Sequence, residues 1–113
     1  MVIDSPFDAI AIPHTPLVPY VLQHATTLAD KPALVCGATG RTYTNGSLAD
    51  AVRRAAAGIH ALGVRKGDVV GLVSPNQPDF AVVFYAVSTL GAICSPVNPI
   101  ATAEEIGAQF SDS

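Results

Sequence analysis

The sequence predicts an incomplete α/β domain, and three observations predict it. Short apolar runs at 33–36, 69–74 and 92–97 alternate with stretches whose apolar residues recur every three or four positions, the rhythm of strands and helices packed in layers. Charged residues are 13% of the chain, against about 25% in ordinary domains, while 50% is hydrophobic. A small domain has proportionally more surface and should be the more polar for it, so part of this surface is expected to be covered by something else. The alternation also breaks off at Ser111-Asp112-Ser113, after a helical stretch, where the rhythm leads on to another strand.

Residues 1–16, with Pro6, Pro13 and Pro16, read as an extended arm. Leu17, Val21, Leu22, Ala25 and Leu28 fall at helical spacing and predict an amphipathic helix over 17–28, stopped by Asp30-Lys31-Pro32. Ala33-Leu34-Val35-Cys36, the turn residues Gly37-Ala38-Thr39-Gly40 and the β-prone Arg41-Thr42-Tyr43-Thr44 predict a hairpin.

The next stretch is the clearest helix. Leu48, Val52, Ala55, Ala56, Ile59 and Leu62 share one face, Thr44 or Ser47 can cap its start, and Asp50 stands at a weak capping-box position after Ser47. Gly63 suits the left-handed residue that ends a helix, with Val64 beyond it. After the polar turn Arg65-Lys66-Gly67-Asp68, the unbroken run Val69–Ser74 has the character of a parallel strand covered on both faces. Pro78 opens a helix to Leu90, apolar almost all round and ended by Gly91, and 92–97 is the next strand. Strand, helix and strand make a βαβ unit with a parallel pair. Thr102 and Glu105 form a capping box that opens a last helix through about Phe110.

Composition excludes some function classes. The net charge is −3 with only six Lys and Arg, so the basic stripe that nucleic acid requires is missing. Cys36 and Cys94 show no CxxC spacing and fit two reduced, buried thiols of a cytoplasmic protein. The opening MVIDSPFDAIAIPHTP lacks the basic start and continuous apolar core of a signal peptide. Residues 80–103 carry no charge, but Gly91, Pro96 and Pro99 interrupt them, so they read as a buried helix and strand and not as a transmembrane span.

No catalytic constellation emerges from the residues. His14, His24 and His60 have no partners at metal-ligand spacing. Gly37–Arg41 lacks the Gly-Lys-Ser/Thr end of a phosphate loop and runs into a strand. Ser74 and Ser95, read as strand ends where open sheets place reactive groups, lie in no G-x-S-x-G elbow. Glu104-Glu105 are adjacent, so they point different ways on a helix and suit its positive end.

The order of the pieces is more informative than any one of them. Asp30-Lys31-Pro32-Ala33-Leu34, Arg41-Thr42-Tyr43-Thr44, Leu62–Val70, Ser74-Pro75-Asn76, Leu90-Gly91-Ala92-Ile93, Pro96-Val97-Asn98-Pro99 and Thr102–Ile106 follow one another in an order that resembles the N-terminal portion of the adenylate-forming (AMP-binding) superfamily. The resemblance runs from about Leu17 to the end and looks closest to the acyl-CoA synthetases and 4-coumarate–CoA ligases. Ser47 departs from it, since that position is more often Glu.

The resemblance implies a partial N-terminal domain, with 17–113 its first part, and a parent acid–CoA ligase. In that reaction ATP and a carboxylate give an acyl-adenylate and pyrophosphate, and the CoA thiol then displaces AMP with the help of Mg²⁺. ATP, Mg²⁺ and CoA are thus implied for the full-length family and none for this segment, whose partner is the remainder of the ligase chain. The loop and lysines that handle phosphate in the family have no counterpart here, so no catalytic, cofactor-binding or metal residue is carried over. The matched residues are expected to build scaffold behind an active site, with Asn76 and Thr102 the two that could approach a ligand. The alternative expectation is a non-catalytic interaction module that completes a separately encoded partner.

Overall fold

A computed structural model describes residues 6–8 and 10–113. The extended arm expected over 1–16 falls partly outside them; the described residues before Leu17 form no helix or strand. The elements that follow are α1 (Leu17–Val21), β1 (Pro32–Val35), β2 (Thr42–Thr44), α2 (Asn45–Ala61), β3 (Val69–Val73), α3 (Pro78–Thr89), β4 (Ile93–Val97) and α4 (Ala103–Asp112). β1 and β2 pair antiparallel, β3 and β4 pair parallel with Val69 opposite Ile93 and Val73 opposite Val97, and α3 is the crossover. The hairpin and the βαβ unit flanked by helices are therefore both present.

Local chemistry accounts for the boundaries. Thr44 caps α2 by accepting the Ser47 amide while the Ser47 hydroxyl accepts the Thr44 amide, so the box closes on Ser47; Asp50 pairs instead with Arg53 one turn on. At the other end Gly63, at φ +105°, turns the chain so that its amide reaches the His60 carbonyl and that of Val64 reaches Ile59, which satisfies carbonyls the helix leaves open. Pro78 is the first residue of α3, where its missing N–H costs nothing.

The helix expected over 17–28 is shorter than its periodicity. α1 stops at Val21, and 22–30 continue as a chain of turns. The Gln23 and Ala25 amides bond three residues back, to the Tyr20 and Leu22 carbonyls at 3.4 and 2.9 Å, so the segment winds as turns; the Leu28 amide at 2.9 Å and the Thr27 hydroxyl at 3.2 Å share the His24 carbonyl. The inward face is also displaced: Val18, Leu22, Ala25 and Ala29 are covered, whereas Leu17, Val21 and Leu28 are exposed.

The core lies between α2 and α3. Val18, Leu48, Ala51, Val52 and Val82 form it, with Leu34 and Tyr43 of the hairpin and Tyr85 of α3 around them. α3 then meets the β3–β4 pair with its other side, which explains why its sequence is apolar almost all round. The strands are not covered on both faces as expected. Val69 and Val73 remain 40% and 45% exposed, and on the second face the Phe110 ring of α4 lies over Gly71. The chain exposes 8084 Å². A compact monomer of its 11.6 kDa would expose about 5,800 Å².

Candidate functional site

β3 and β4 end side by side, and their carboxyl ends open on a crevice of about 500 Å³. In open α/β sheets this is where ligands sit. The loop after β3 contributes Ser74, Pro75 and Asn76, the loop after β4 contributes Asn98, Pro99 and Ile100, and Phe80 of α3 closes the base. Both loops carry proline: Pro78 fixes where α3 begins, and Pro99 follows Asn98 in the turn after β4. The Asn98 side-chain oxygen accepts the Ile100 amide at 3.1 Å, so the loop is braced from within. The Ser74 hydroxyl donates to the Pro75 carbonyl at 3.0 Å and accepts from the Gln77 side chain at 3.3 Å.

The crevice holds no charged side chain among its lining residues. Its polar groups are one hydroxyl, two carboxamides and loop backbone, which can hydrogen-bond a neutral ligand or a neighbouring chain but cannot neutralise a triphosphate. A magnesium nucleotide does not fit this donor set.

Of the residues singled out from the sequence, Asn76 reaches the crevice and Thr102 does not. Thr102 is occupied as the N-cap of α4: its hydroxyl accepts the Glu105 amide at 3.3 Å, and its own amide donates to the Glu105 carboxylate at 2.7 Å. The Thr102 amide, joined by the Thr102 hydroxyl donating to the same carboxylate at 3.0 Å, lowers the Glu105 pKa. Ser95, read as a strand end, stands in the middle of β4, bonded to Gln109 at 3.1 Å. Gly37–Gly40 form the hairpin turn, with the Gly40 amide on the Cys36 carbonyl at 2.8 Å, and no helix opens behind them. The Thr39 hydroxyl and the Thr39 and Ala38 amides favour the thiolate of Cys36 and lower its pKa, whereas burial pushes the Cys94 thiol up. Both cysteines are free, and no three His, Cys, Asp or Glu side chains gather among the described residues.

Two features were missed. Asn98 stands across the crevice from the β3 loop, a position that follows only once β3 and β4 are known to be neighbours. The second is a cluster at the start of α3. Arg41 of the hairpin forms an ion pair with Asp79, and its guanidinium also donates to the Tyr43 hydroxyl at 2.9 Å; Tyr43 in turn donates to Asp79 at 2.7 Å. The cluster fixes the first turn of α3, and with it the loop that carries Asn76, against the hairpin.

Residues 21–113 match the model of the family described as AMP-binding enzyme. The chain belongs to that family. It is 46% identical over 100 residues to 4-coumarate–CoA ligase 2 of Oryza sativa subsp. japonica, an alignment covering 88% of this chain and 18% of that one. Against 4-coumarate–CoA ligase 4 of Arabidopsis thaliana it is 44% identical over 104 residues, covering 88% and 18%. The inhibitor-bound N-terminal domain of FACL13 from Mycobacterium tuberculosis superposes with a TM-score of 0.79 at 34% identity, over 85% of this chain and 24% of that one.

The chain thus spans about a fifth of the length of the curated relatives it matches, and its fold matches part of an acyl-CoA synthetase N-terminal domain. The glycines that carried the resemblance have structural duties here. Gly63, Gly67 and Gly91 all take positive φ, and the Gly67 amide donates to the Gly91 carbonyl at 3.0 Å, which ties the turn before β3 to the turn before β4. No described helix is long and apolar enough to cross a membrane.

Proposed function

We propose that this chain is the opening section of the N-terminal domain of an ATP-dependent, cytoplasmic acid–CoA ligase, and that it supplies scaffold and one wall of a crevice. The whole ligase would join ATP to a small carboxylic acid, release pyrophosphate, and pass the acyl group from AMP to CoA; ATP, Mg²⁺ and CoA would be held by the remaining four-fifths. The observation that carries this reading is the match to CoA ligases across nearly all of the chain. The uncharged crevice supports the division of labour, since in-line attack on an α-phosphorus needs cations aimed at the phosphates. On this reading no residue of the segment is catalytic or binds cofactor or metal, and the isolated chain is inactive.

The relatives' printed acid makes 4-coumarate the first substrate to try. In a chimera, residues 1–113 would replace the matching segment of the rice ligase. The expected result is 4-coumarate-dependent exchange of pyrophosphate into ATP by the chimera and none by the isolated chain. A folded chimera without exchange would overturn the ligase reading; exchange by the isolated chain would overturn the scaffold role.

A further inference from the structure

We propose that Asn45 is a site of spontaneous deamidation, held in check by the turn that precedes the hairpin; the inference is independent of the ligase reading. Asparagines stand at 45, 76 and 98, and the residue after each decides its chemistry. In deamidation the backbone nitrogen of the following residue attacks the side-chain carbonyl carbon of asparagine. Its proton leaves with the carboxamide nitrogen as ammonia, and a succinimide ring remains. Water then opens the ring at either carbonyl to give aspartate or isoaspartate, so one water is consumed for each ammonia released. Asn98 is followed by Pro99, whose nitrogen has no hydrogen to give up, and Asn76 by Gln77, whose side chain crowds the attack. Asn45 is followed by Gly46, which has no side chain to crowd it.

Packing explains why so labile a pair stands here. A Cβ at Gly46 would lie 3.3 Å from both the Cβ and the carbonyl oxygen of Ala29, tighter than a side-chain carbon ordinarily packs. The close approach that favours glycine also holds the reaction back. The Gly46 amide donates to the Ala29 carbonyl at 3.0 Å, and the Lys31 carbonyl accepts both the Asn45 amide at 3.0 Å and the Asn45 side-chain nitrogen at 2.8 Å. Attacking nitrogen and leaving group are thus both engaged. Asn45 is also the first residue of α2, fixed in helical dihedrals, so the backbone rotation that ring closure needs requires the first turn to open.

Once made, isoaspartate prevents reclosure. It routes the main chain through the former side chain and adds a methylene between Thr44 and Ser47. The capping box spans that link, with the Thr44 hydroxyl accepting the Ser47 amide at 3.2 Å and the Ser47 hydroxyl accepting the Thr44 amide at 2.9 Å, so its geometry is lost.

Peptide mapping of the chain by mass spectrometry tests the site, with exchange of the Gly46 amide followed in the same samples. In concentrated urea at neutral pH, aspartate and isoaspartate should accumulate at Asn45 while Asn76 and Asn98 stay intact. In native buffer the conversion should be slower by about 10-fold or more. Thr44→Ala, which frees the start of α2, should raise the native rate about fivefold. Across graded urea the rate should rise in step with Gly46 exchange, because the same bond to Ala29 must break for both. The isoaspartyl form, once isolated, should exchange faster than the parent over residues 46–49. Loss of Asn76 or Asn98 ahead of Asn45 would overturn the site. Equal rates in buffer and urea, or a rate that ignores Gly46 exchange, would overturn the gate. An isoaspartyl chain that exchanges like the parent over 46–49 would show that the capping box tolerates the longer link, and the claim that reclosure is prevented would fall.

Discussion

The Tyr43 hydroxyl donates to the Asp79 carboxylate at 2.7 Å, a bond that joins residues 36 positions apart and ties the hairpin to the first turn of α3. Arg41 completes it from the same hairpin strand side, its guanidinium paired with Asp79 and 5.3 Å from the Tyr43 ring centre. The cluster is half-exposed, so solvent screens it and its energy is modest. Tyr43→Phe should lower stability by about 1 kcal/mol, read as a shift in the urea midpoint of the chimera.

The same bond sets an alkaline limit. The hydrogen bond to Asp79, then burial and the carboxylate's charge, raise the Tyr43 pKa. A raised pKa means the folded state holds its proton more tightly than the unfolded chain. The stabilisation is therefore complete below the ordinary tyrosine range near pH 10, and is lost as pH climbs through the higher folded value. Stability measured from pH 9 upward should fall more steeply in the parent than in Tyr43→Phe; parallel curves would remove the bond from the account.

Much of the fold was legible and this cluster was not, for a physical reason. Capping boxes, glycine turns and proline starts act within about four residues, so Thr102–Glu105, Gly63 and Pro78 can be read from neighbours alone. Arg41 and Asp79 meet only after α2 and β3 have been folded between them. The exposed face of β3, that of Val69, Gly71 and Val73, was misread because an apolar run records what finally covers a strand, including segments outside this chain. The crevice followed from the strand ends, but Asn98 needed the β3–β4 register.

The two capping boxes should respond differently to acid. In α2 the reciprocal partner is the Ser47 hydroxyl, which does not titrate, so Thr44→Ala should cost about 1 kcal/mol at any pH between 3 and 8. In α4 the partner is the Glu105 carboxylate, whose pKa is depressed by the Thr102 amide and hydroxyl. A depressed pKa stabilises the fold above the ordinary glutamate range, near pH 4.3, and the gain disappears as pH falls through the lower folded value. Amide exchange corrected for its intrinsic pH dependence should show α4 opening on acidification while α2 holds. In Glu105→Gln that added acid sensitivity should be gone.

Gly71 makes room for Phe110. A Cβ at Gly71 would lie 2.5 Å from the tip of the Phe110 ring, well inside contact distance. The clash falls on the far end of one side chain and not on backbone, so the ring can swing aside and β3 can stay in place. Gly71→Ala should therefore loosen α4, with faster exchange at 103–112, while the α2–α3 core keeps its urea midpoint within about 0.5 kcal/mol. Phe110→Ala should loosen α4 to the same degree, and the double variant should add little, because both changes remove one contact. Additive losses would place the hold on α4 elsewhere, in the Gln109 bonds to Ser95 and Pro96.

The last prediction concerns the isolated chain. Among the described residues its buried apolar side chains are Val18, Leu48, Ala51, Val52, Ala56, Val82, Ala86, Val87 and Val97, nearly all small, and large residues such as Leu62 and Ile100 lie open at 86% exposure. Val52, 1% exposed between α2 and α3, is the test position. Val52→Ala deletes two buried methyl groups and leaves a cavity, a loss of about 2 kcal/mol. With so small a core that is a large share of the isolated chain's stability, whereas a complete domain spreads the same loss over a larger total. The variant should abolish cooperative unfolding of the isolated chain yet only lower the midpoint of the chimera. Sharp thermal unfolding of a dilute, monomeric Val52→Ala chain would mean that these nine residues suffice without the surface that now faces solvent.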